Sequence, residues 1–385
     1  MAITLNKKQS ETIQSILHWY YFETRKKLVY ALAGYAGTGK TFISKYVIKA
    51  LGLMDYQILF VTPTGKAAFV AKMRGVEAKT IRKTFYTTFK RDKKLGFSKK
   101  NTFFSTIRFI IIDEASMVDD GVMRDIISFK IPILLLFDRG QLPPIYGSNS
   151  YIKKPDAILT EIMRQSNLSG ILILATMARE GKPISIGTYQ ESNVVWLHEI
   201  ENIESYDIIL CWKNSTKDVL NRIVRNNIGY NSTLPQKGEK LVCLKTNYLH
   251  HLQYTENVSI DLVNGIDLIA LSDAKPIVGR NYFLIDYKPS FIKETDDYFF
   301  ETKVALDIFK NPKMPLEEFD ETSVAPDTVL LDYGYAYTVH KSQGSEWERV
   351  LVIDEFVGSQ EMYNRWLYTA ITRAKKEVTI AKIFK

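Results

Sequence analysis

"KKLVYALAGYAGTGKTFISKYVIKAL" (residues 26–51) begins with a short apolar run, Leu28 to Leu32, turns through a glycine-rich loop and continues with helical spacing. A buried strand, a tight loop and a helix in that order form the first unit of a parallel α/β fold. The loop, Gly34 to Thr41, reads G-x-x-x-x-G-K-T. Gly34, Gly37 and Gly39 let the backbone curl so that its amides, with that of Thr38, face phosphate oxygens, and the helix adds the positive end of its dipole. Lys40 is placed to reach the β- and γ-phosphates of ATP, and the Thr41 hydroxyl to hold Mg²⁺.

Such a loop needs a carboxylate for the metal, and "FIIIDEASMVDD" (109–120) supplies one. Phe109 to Ile112 read as a buried strand that ends at Asp113 and Glu114. Asp113 is expected to bind Mg²⁺ through water, and Glu114 to orient or deprotonate the attacking water. A third apolar strand, Ile131 to Phe137, leads into "DRGQLPPI" (138–145). There Gln141 is placed to sense the γ-phosphate on a loop stiffened by Pro143 and Pro144. Strands alternating with helical segments predict an α/β chain with helices on both faces of a parallel sheet and ligands at the carboxyl ends of its strands.

The 385 residues exceed one ordinary core and suggest two or three domains. No apolar run reaches the roughly 18 residues that span a bilayer, and the start of the chain lacks a signal-peptide layout. Two cysteines, Cys211 and Cys243, make neither a disulfide framework nor a zinc site and read as reduced, buried thiols of a cytoplasmic protein. The net charge of +8 is unevenly spread. Residues 79–108 hold ten Lys or Arg against one Asp, whereas 241–333 hold eight against sixteen Asp or Glu. The basic stretch is interleaved with Phe85, Tyr86, Phe89, Phe97, Phe103 and Phe104. Positive charge with flat rings suits single-stranded nucleic acid; a solvated basic loop with some core aromatics has the same composition. His250 and His251 lack further ligands at metal spacing, and His18 beside Trp19 reads as helix-face packing.

Taken in order, these pieces resemble a superfamily 1 helicase, in the 5′-to-3′ RecD/Dda-like branch. Gln9 in "LNKKQ" (5–9) resembles the glutamine that reads adenine. "VTPTGKAA" (61–68) resembles the motif that grips the DNA backbone, through Pro63, Thr64 and Lys66. "KTIRKTF" (79–85) resembles the next DNA motif, with Thr80 and with Arg82 where the family often has His. "DRGQLPP" (138–144) resembles the third motif, with Phe137 where Gly is usual. "LTEIMRQ" (159–165) carries Arg164, which the resemblance turns toward the γ-phosphate. "YTVHKSQGSEWERVLVI" (337–353) resembles the fifth motif, whose first half implies DNA contacts by Thr338, His340 and Ser342 and whose second half implies nucleotide contacts by Gly344 and Glu346. "YTAITRAKK" (368–376) resembles the sixth, with Arg373 as its arginine. The surrounding "EMYNRWLYTAITRAKK" (361–376) has helical spacing, and a strand follows it.

The resemblance implies two RecA-like P-loop lobes, 1–165 and 166–240 plus 334–385, that hydrolyse Mg-ATP between them. It also implies a pin inserted at 84–106, with Phe97 at the tip or Phe103 or Phe104 in its place, and an SH3-like β-barrel at 241–333, whose acidic balance suits contact with protein more than with phosphate except at local basic patches such as Lys288 and Lys293. The implied activity is ATP-dependent 5′-to-3′ translocation on single-stranded DNA with duplex unwinding. The alternative is a single-strand-stimulated ATPase and translocase that displaces proteins or acts in recombination with little intrinsic unwinding. Implied partners are single-stranded DNA and single-strand/duplex junctions, with a single-stranded DNA-binding protein as a further partner, no membrane, and a monomeric state.

Overall fold

The computed structural model describes residues 5–73, 75–91, 94–101, 105–144, 147–161, 169–255, 258–292, 298–312, 314, 318–320, 323–325 and 327–383. Contacts divide the chain into two compact units, Met1–Asn167 and Leu168–Lys385.

The first unit is built on six parallel strands in the order Ala78–Thr80, Ile58–Thr62, Phe109–Ile112, Ile133–Phe137, Val29–Gly34 and Ala157–Leu159. Successive strand residues point to opposite faces, and both faces are packed. Tyr30, Leu32, Phe60 and Leu134 join one core with Ile16 of helix Lys7–His18 and with Ile43 and Val47 of helix Lys40–Leu51. Val29, Ala31, Val61 and Leu135 join the other with Met123 and Ile126 of helix Asp120–Ile127. Double-sided burial is why these strands read as unbroken apolar runs.

The second unit holds a sheet in the order Ala336–Thr338, Ile208–Cys211, Trp347–Asp354, Ala374–Lys382, Ser192–Trp196 and Gly187–Tyr189. It is parallel except at its Gly187–Tyr189 edge. An antiparallel sheet in the same unit runs Lys275–Pro276, Tyr282–Pro289, Asp267–Ala270, Lys240–Cys243, Leu331–Tyr333, with Phe299–Ala305 also on Tyr282–Pro289. A buried ion pair ties this sheet to helix Asn214–Ile228: Arg225 donates to both carboxylate oxygens of Glu239 at 2.6 and 3.0 Å and lies over the Tyr333 ring at 3.9 Å.

Two expectations are corrected. In "VSIDLVNGIDLIAL" (258–271) the apolar alternation on both sides of Asn264-Gly265 predicts a hairpin, but the pair joins strands of different sheets. Val258–Leu262 pairs with Asn247–Thr255, and Asp267–Ala270 pairs with Lys240–Cys243 and Tyr282–Pro289. The turn chemistry is real, since Gly265 has φ of 85°, but a turn reverses the chain without choosing its partner. In the basic stretch, Tyr86–Arg91 pairs with Lys94–Lys99, and the register sets Phe97 opposite Thr88 with Arg91 opposite Lys94 at the turn. Phe97 is therefore not at the tip; its side chain, with Phe103, Phe104 and Lys293, lies outside the described residues. His18 packs on the outer helix face, its ring centroid 5.1 Å from that of Phe22 and its side chain 64% exposed and 3.4 Å from the Glu23 carboxylate, while the neighbouring Trp19 fills the core. Cys211 and Cys243 are free and buried, and burial raises both thiol pKa values. Among the described residues no helix is long and apolar enough to cross a membrane, and no three or more His, Cys, Asp or Glu side chains gather into a metal-binding cluster.

Candidate nucleotide and nucleic-acid sites

The phosphate loop joins strand Val29–Gly34 to helix Lys40–Leu51. Gly37 and Gly39 adopt φ of 78° and 84°, left-handed values that favour residues without a Cβ. Gly34 is needed for space: a Cβ there would meet Thr38 Oγ1 at 2.6 Å. Lys40 Nζ curls over the loop and donates to the carbonyls of Gly34 at 2.7 Å and Tyr35 at 3.1 Å. Gln9 ties the loop to the first helix. Its Nε2 donates to the Thr38 carbonyl at 3.3 Å, while its Oε1 accepts from the Asn6 amide at 3.1 Å in a reciprocal capping box.

Thr41 Oγ1 donates to Asp113 Oδ2 at 3.2 Å, so the two expected metal-holding groups share one spot. Glu114, next in chain, has φ of 54°. A non-glycine residue held in that region stores strain, and such outliers gather at functional sites. Gln141 is buried, and its Oε1 finds no hydrogen-bond partner among the described residues. A polar atom left unpaired inside a protein costs free energy, and here it fits a group that responds to a bound polar ligand. Cradle, ammonium, hydroxyl–carboxylate pair and orphaned amide together suit a nucleotide's phosphates and a divalent ion.

The residues of this unit expected to contact nucleic acid lie at the same sheet edge, the carboxyl ends of the strands, but on other strands. Pro63, Thr64 and Lys66 follow Ile58–Thr62, and Thr64 Oγ1 accepts from the Ala67 amide to start helix Gly65–Met73. Thr80 closes Ala78–Thr80 and caps helix Ile81–Phe85, from which Arg82 projects into solvent. Strand order thus sets the phosphate residues on one half of the edge and these residues on the other. Arg164 lies outside the described residues.

In the second unit the motif residues fall at opposite ends of one sheet. Thr338 ends strand Ala336–Thr338 and precedes the short helix Val339–Ser342, which carries His340. Gly344, with φ of 77°, and Glu346 lie instead before the amino end of Trp347–Asp354. Arg373 lies before the amino end of Ala374–Lys382, because helix Gln360–Ile371 stops five residues short of the 361–376 span that its spacing suggests. Arg373 is 4% exposed, and three of its nitrogens donate within the unit. Nε bonds the Thr369 carbonyl at 3.0 Å, Nη1 the Ser345 carbonyl at 3.1 Å and Nη2 the Thr372 hydroxyl at 3.1 Å. Ser342 departs from expectation. It is fully buried and its hydroxyl donates to the Val339 carbonyl at 2.7 Å, so it shapes the turn and offers DNA no side chain.

Sequence reading missed Asp138, whose carboxylate accepts from the Gly140 amide at 2.9 Å and fixes the Gln141 loop. It also missed Ser345 and Thr372, which hold Arg373; no spacing rule marks them. Lys341 was passed over as well. Its ammonium lies 5.7 Å from the Tyr337 ring centroid, and burial pulls its pKa down to about 8, against the opposing pull of Asp332. Between about pH 8 and its unfolded value of 10.5 the unfolded chain binds the proton more readily, so stability rises with pH over that window. Thermal melts should therefore show the wild type gaining on Lys341→Met between about pH 7 and about pH 9.5. A melting difference that stays constant across that range would contradict the assignment.

Two family models match: an AAA domain over residues 4–201 and a UvrD-like helicase C-terminal domain over 333–381. The chain is 26% identical over 349 residues to the RecBCD enzyme subunit RecD of Buchnera aphidicola, covering 76% of this chain and 56% of that one. It is 24% identical to the ATP-dependent RecD2 DNA helicase of Deinococcus radiodurans, covering 89% of this chain and 45% of that one. The chain thus spans about half the length of these two relatives. A solved Pif1 helicase at forked duplex DNA superposes over 98% of this chain and 92% of its own, with a TM-score of 0.58 and 15% identity, a likeness of fold.

Proposed function

We propose, from the premise that the chain belongs to the AAA domain family and to its superfamily 1B RecD/Pif1/Dda-like branch, that it is an ATP-dependent DNA helicase. It would hydrolyse ATP to translocate 5′-to-3′ on single-stranded DNA and separate duplex strands at junctions. Gly34, Gly37, Thr38 and Gly39 cradle the phosphates, Lys40 pairs with their charge, and Gln9 reads the base. Glu114 orients and deprotonates the attacking water, and Gln141 senses the γ-phosphate. Arg373, with Arg164, neutralises charge that builds on the γ-phosphate as it is cleaved. A magnesium ion held by Thr41 and Asp113 would neutralise charge on the β- and γ-phosphate oxygens when bound. Pro63, Thr64, Lys66, Thr80, Arg82, Thr338 and His340 grip the DNA backbone.

The observation that carries this reading is the segregation of motif residues by strand end. The fifth motif splits, with Thr338 and His340 at the carboxyl end of the second sheet and Gly344 and Glu346 at the amino end beside Arg373. One short segment thereby serves two ligands, as a motor must if nucleotide state is to change its grip on DNA. Phosphate release with and without a single-stranded oligonucleotide tests the ATPase, and displacement of a strand from 5′-tailed and 3′-tailed duplexes tests the rest. Hydrolysis stimulated by DNA, with unwinding from the 5′ tail, is expected. No turnover under either condition would reduce the protein to a nucleotide-gated binding module, and unwinding from the 3′ tail alone would reverse the polarity.

A further inference from the structure

Three adjacent strands of the second sheet, Ala336–Thr338, Ile208–Cys211 and Trp347–Asp354, run parallel and end level with one another, with Cys211 opposite Thr338. Just beyond each carboxyl end stands an aromatic ring: His340, Trp212 and Phe356. The Trp212 ring centroid is 5.4 Å from His340 and 4.5 Å from Phe356. Phe356 is buried and rests on Trp366 at 5.7 Å, whereas Trp212 and His340 are half-buried. A rigid floor thus supports two partly open rings.

The Trp212 backbone is also fixed. Glu355 Oε1 accepts from the amides of Trp212 and Lys213, both at 2.9 Å, and its Oε2 accepts from the Thr216 hydroxyl at 2.6 Å. The charge of Glu355 is spent on these donors. Burial lowers the His340 pKa, which keeps that ring neutral near pH 7. The adjacent Lys213 is exposed. Flat neutral rings beside an exposed ammonium suit a nucleobase stacked on Trp212 with its phosphate near Lys213.

We infer that Trp212 is a base-stacking residue of the single-strand track and that Glu355 is its positioning residue. This rests on the DNA-translocase reading above and adds a contact that none of the motif residues provides. A base held by stacking is gripped whatever its identity, since every base has a π-face.

The test compares wild type, Trp212→Ala and Trp212→Phe by fluorescence anisotropy. The probes are an oligothymidylate and an oligomer of equal length made wholly of abasic sites. Trp212→Ala should weaken oligothymidylate binding on the order of tenfold or more and leave abasic binding unchanged. Trp212→Phe should recover most of the loss. Equal weakening on both oligomers would assign Trp212 a merely structural role and overturn the inference, as would no weakening on either. Wild type that binds neither oligomer would refute the translocase reading itself and this inference with it; wild-type binding that Trp212→Ala leaves intact would sink only the stacking role.

Discussion

Lys40→Ala should abolish DNA-stimulated phosphate release. The ammonium lies over the loop that Gly37 and Gly39 curve, within hydrogen-bond distance of the Gly34 and Tyr35 carbonyls. Those carbonyls are weaker partners than a phosphate oxygen, because they offer the ammonium only a dipole where the phosphate offers a full opposite charge. The side chain can therefore exchange them for the β- and γ-phosphates at little cost, and its attraction grows as charge develops in the transition state. Loss of one such donor lowers turnover by about 10²–10³ in well-studied enzymes, and a full positive charge sets the expectation at or beyond the top of that range. The measurement is phosphate release at saturating single-stranded DNA, with DNA binding and thermal melting as controls. Unchanged DNA binding with turnover at background is expected. Residual turnover above about a tenth of wild type would mean that the phosphates are held elsewhere.

The phosphate site was legible because its signals are local. Gly34 to Thr41 fit one spacing because only that spacing aims amides, ammonium and hydroxyl at one anion, and "FIIIDE" reads as a buried strand ending in acids because it is one. The same local pattern recurs at "VLVIDEF" (350–356), and there it means something else. Glu114 adopts a left-handed conformation beside the phosphate loop, whereas Glu355 accepts hydrogen bonds at the start of helix Asn214–Ile228 and Asp354 accepts from Tyr363. Two strand-end acid pairs look alike in sequence and part ways only through what the fold sets opposite them.

What stayed hidden depended on long-range pairing. Composition placed aromatic rings in the 79–108 stretch, but only the register of Tyr86–Arg91 against Lys94–Lys99 shows that Phe97 faces Thr88 away from the turn. Helical spacing runs on past Arg373, yet the helix ends at Ile371 because Val378, Thr379 and Ile380 belong to a buried strand that pairs with Trp347–Asp354. Ser342 carries a motif residue type without its exposure. Trp212 gave no signal at all, since its ring neighbours His340 and Phe356 are more than a hundred residues away in the chain.

Arg373→Ala should lower turnover by about 10³-fold or more, the scale of arginine fingers, while ATP affinity changes by less than about tenfold. An arginine carries five N–H donors, and three of its nitrogens already bond Thr369, Ser345 and Thr372. Those bonds leave two N–H groups for a ligand and fix where they point, so the guanidinium arrives pre-oriented and little is lost in aligning it. A group that acts on charge built up during cleavage contributes to the transition state more than to the ground state, which is why rate and affinity should separate. The substitution also takes the Arg373 donor from the buried Ser345 carbonyl, leaves the Thr369 carbonyl to the Thr372 hydroxyl alone and opens a small cavity, so a fall in both has a second source in damage to the turn between Ile371 and Ala374. Arg373→Lys resolves this. It keeps a charge but loses the planar fork, so it cannot satisfy three acceptors and reach a phosphate at once. A lysine variant that melts like wild type, binds ATP and still turns over at least a hundredfold more slowly would fix the role on the guanidinium. Equal losses in affinity and rate, in a variant whose melting is unchanged, would remove Arg373 from the hydrolytic step.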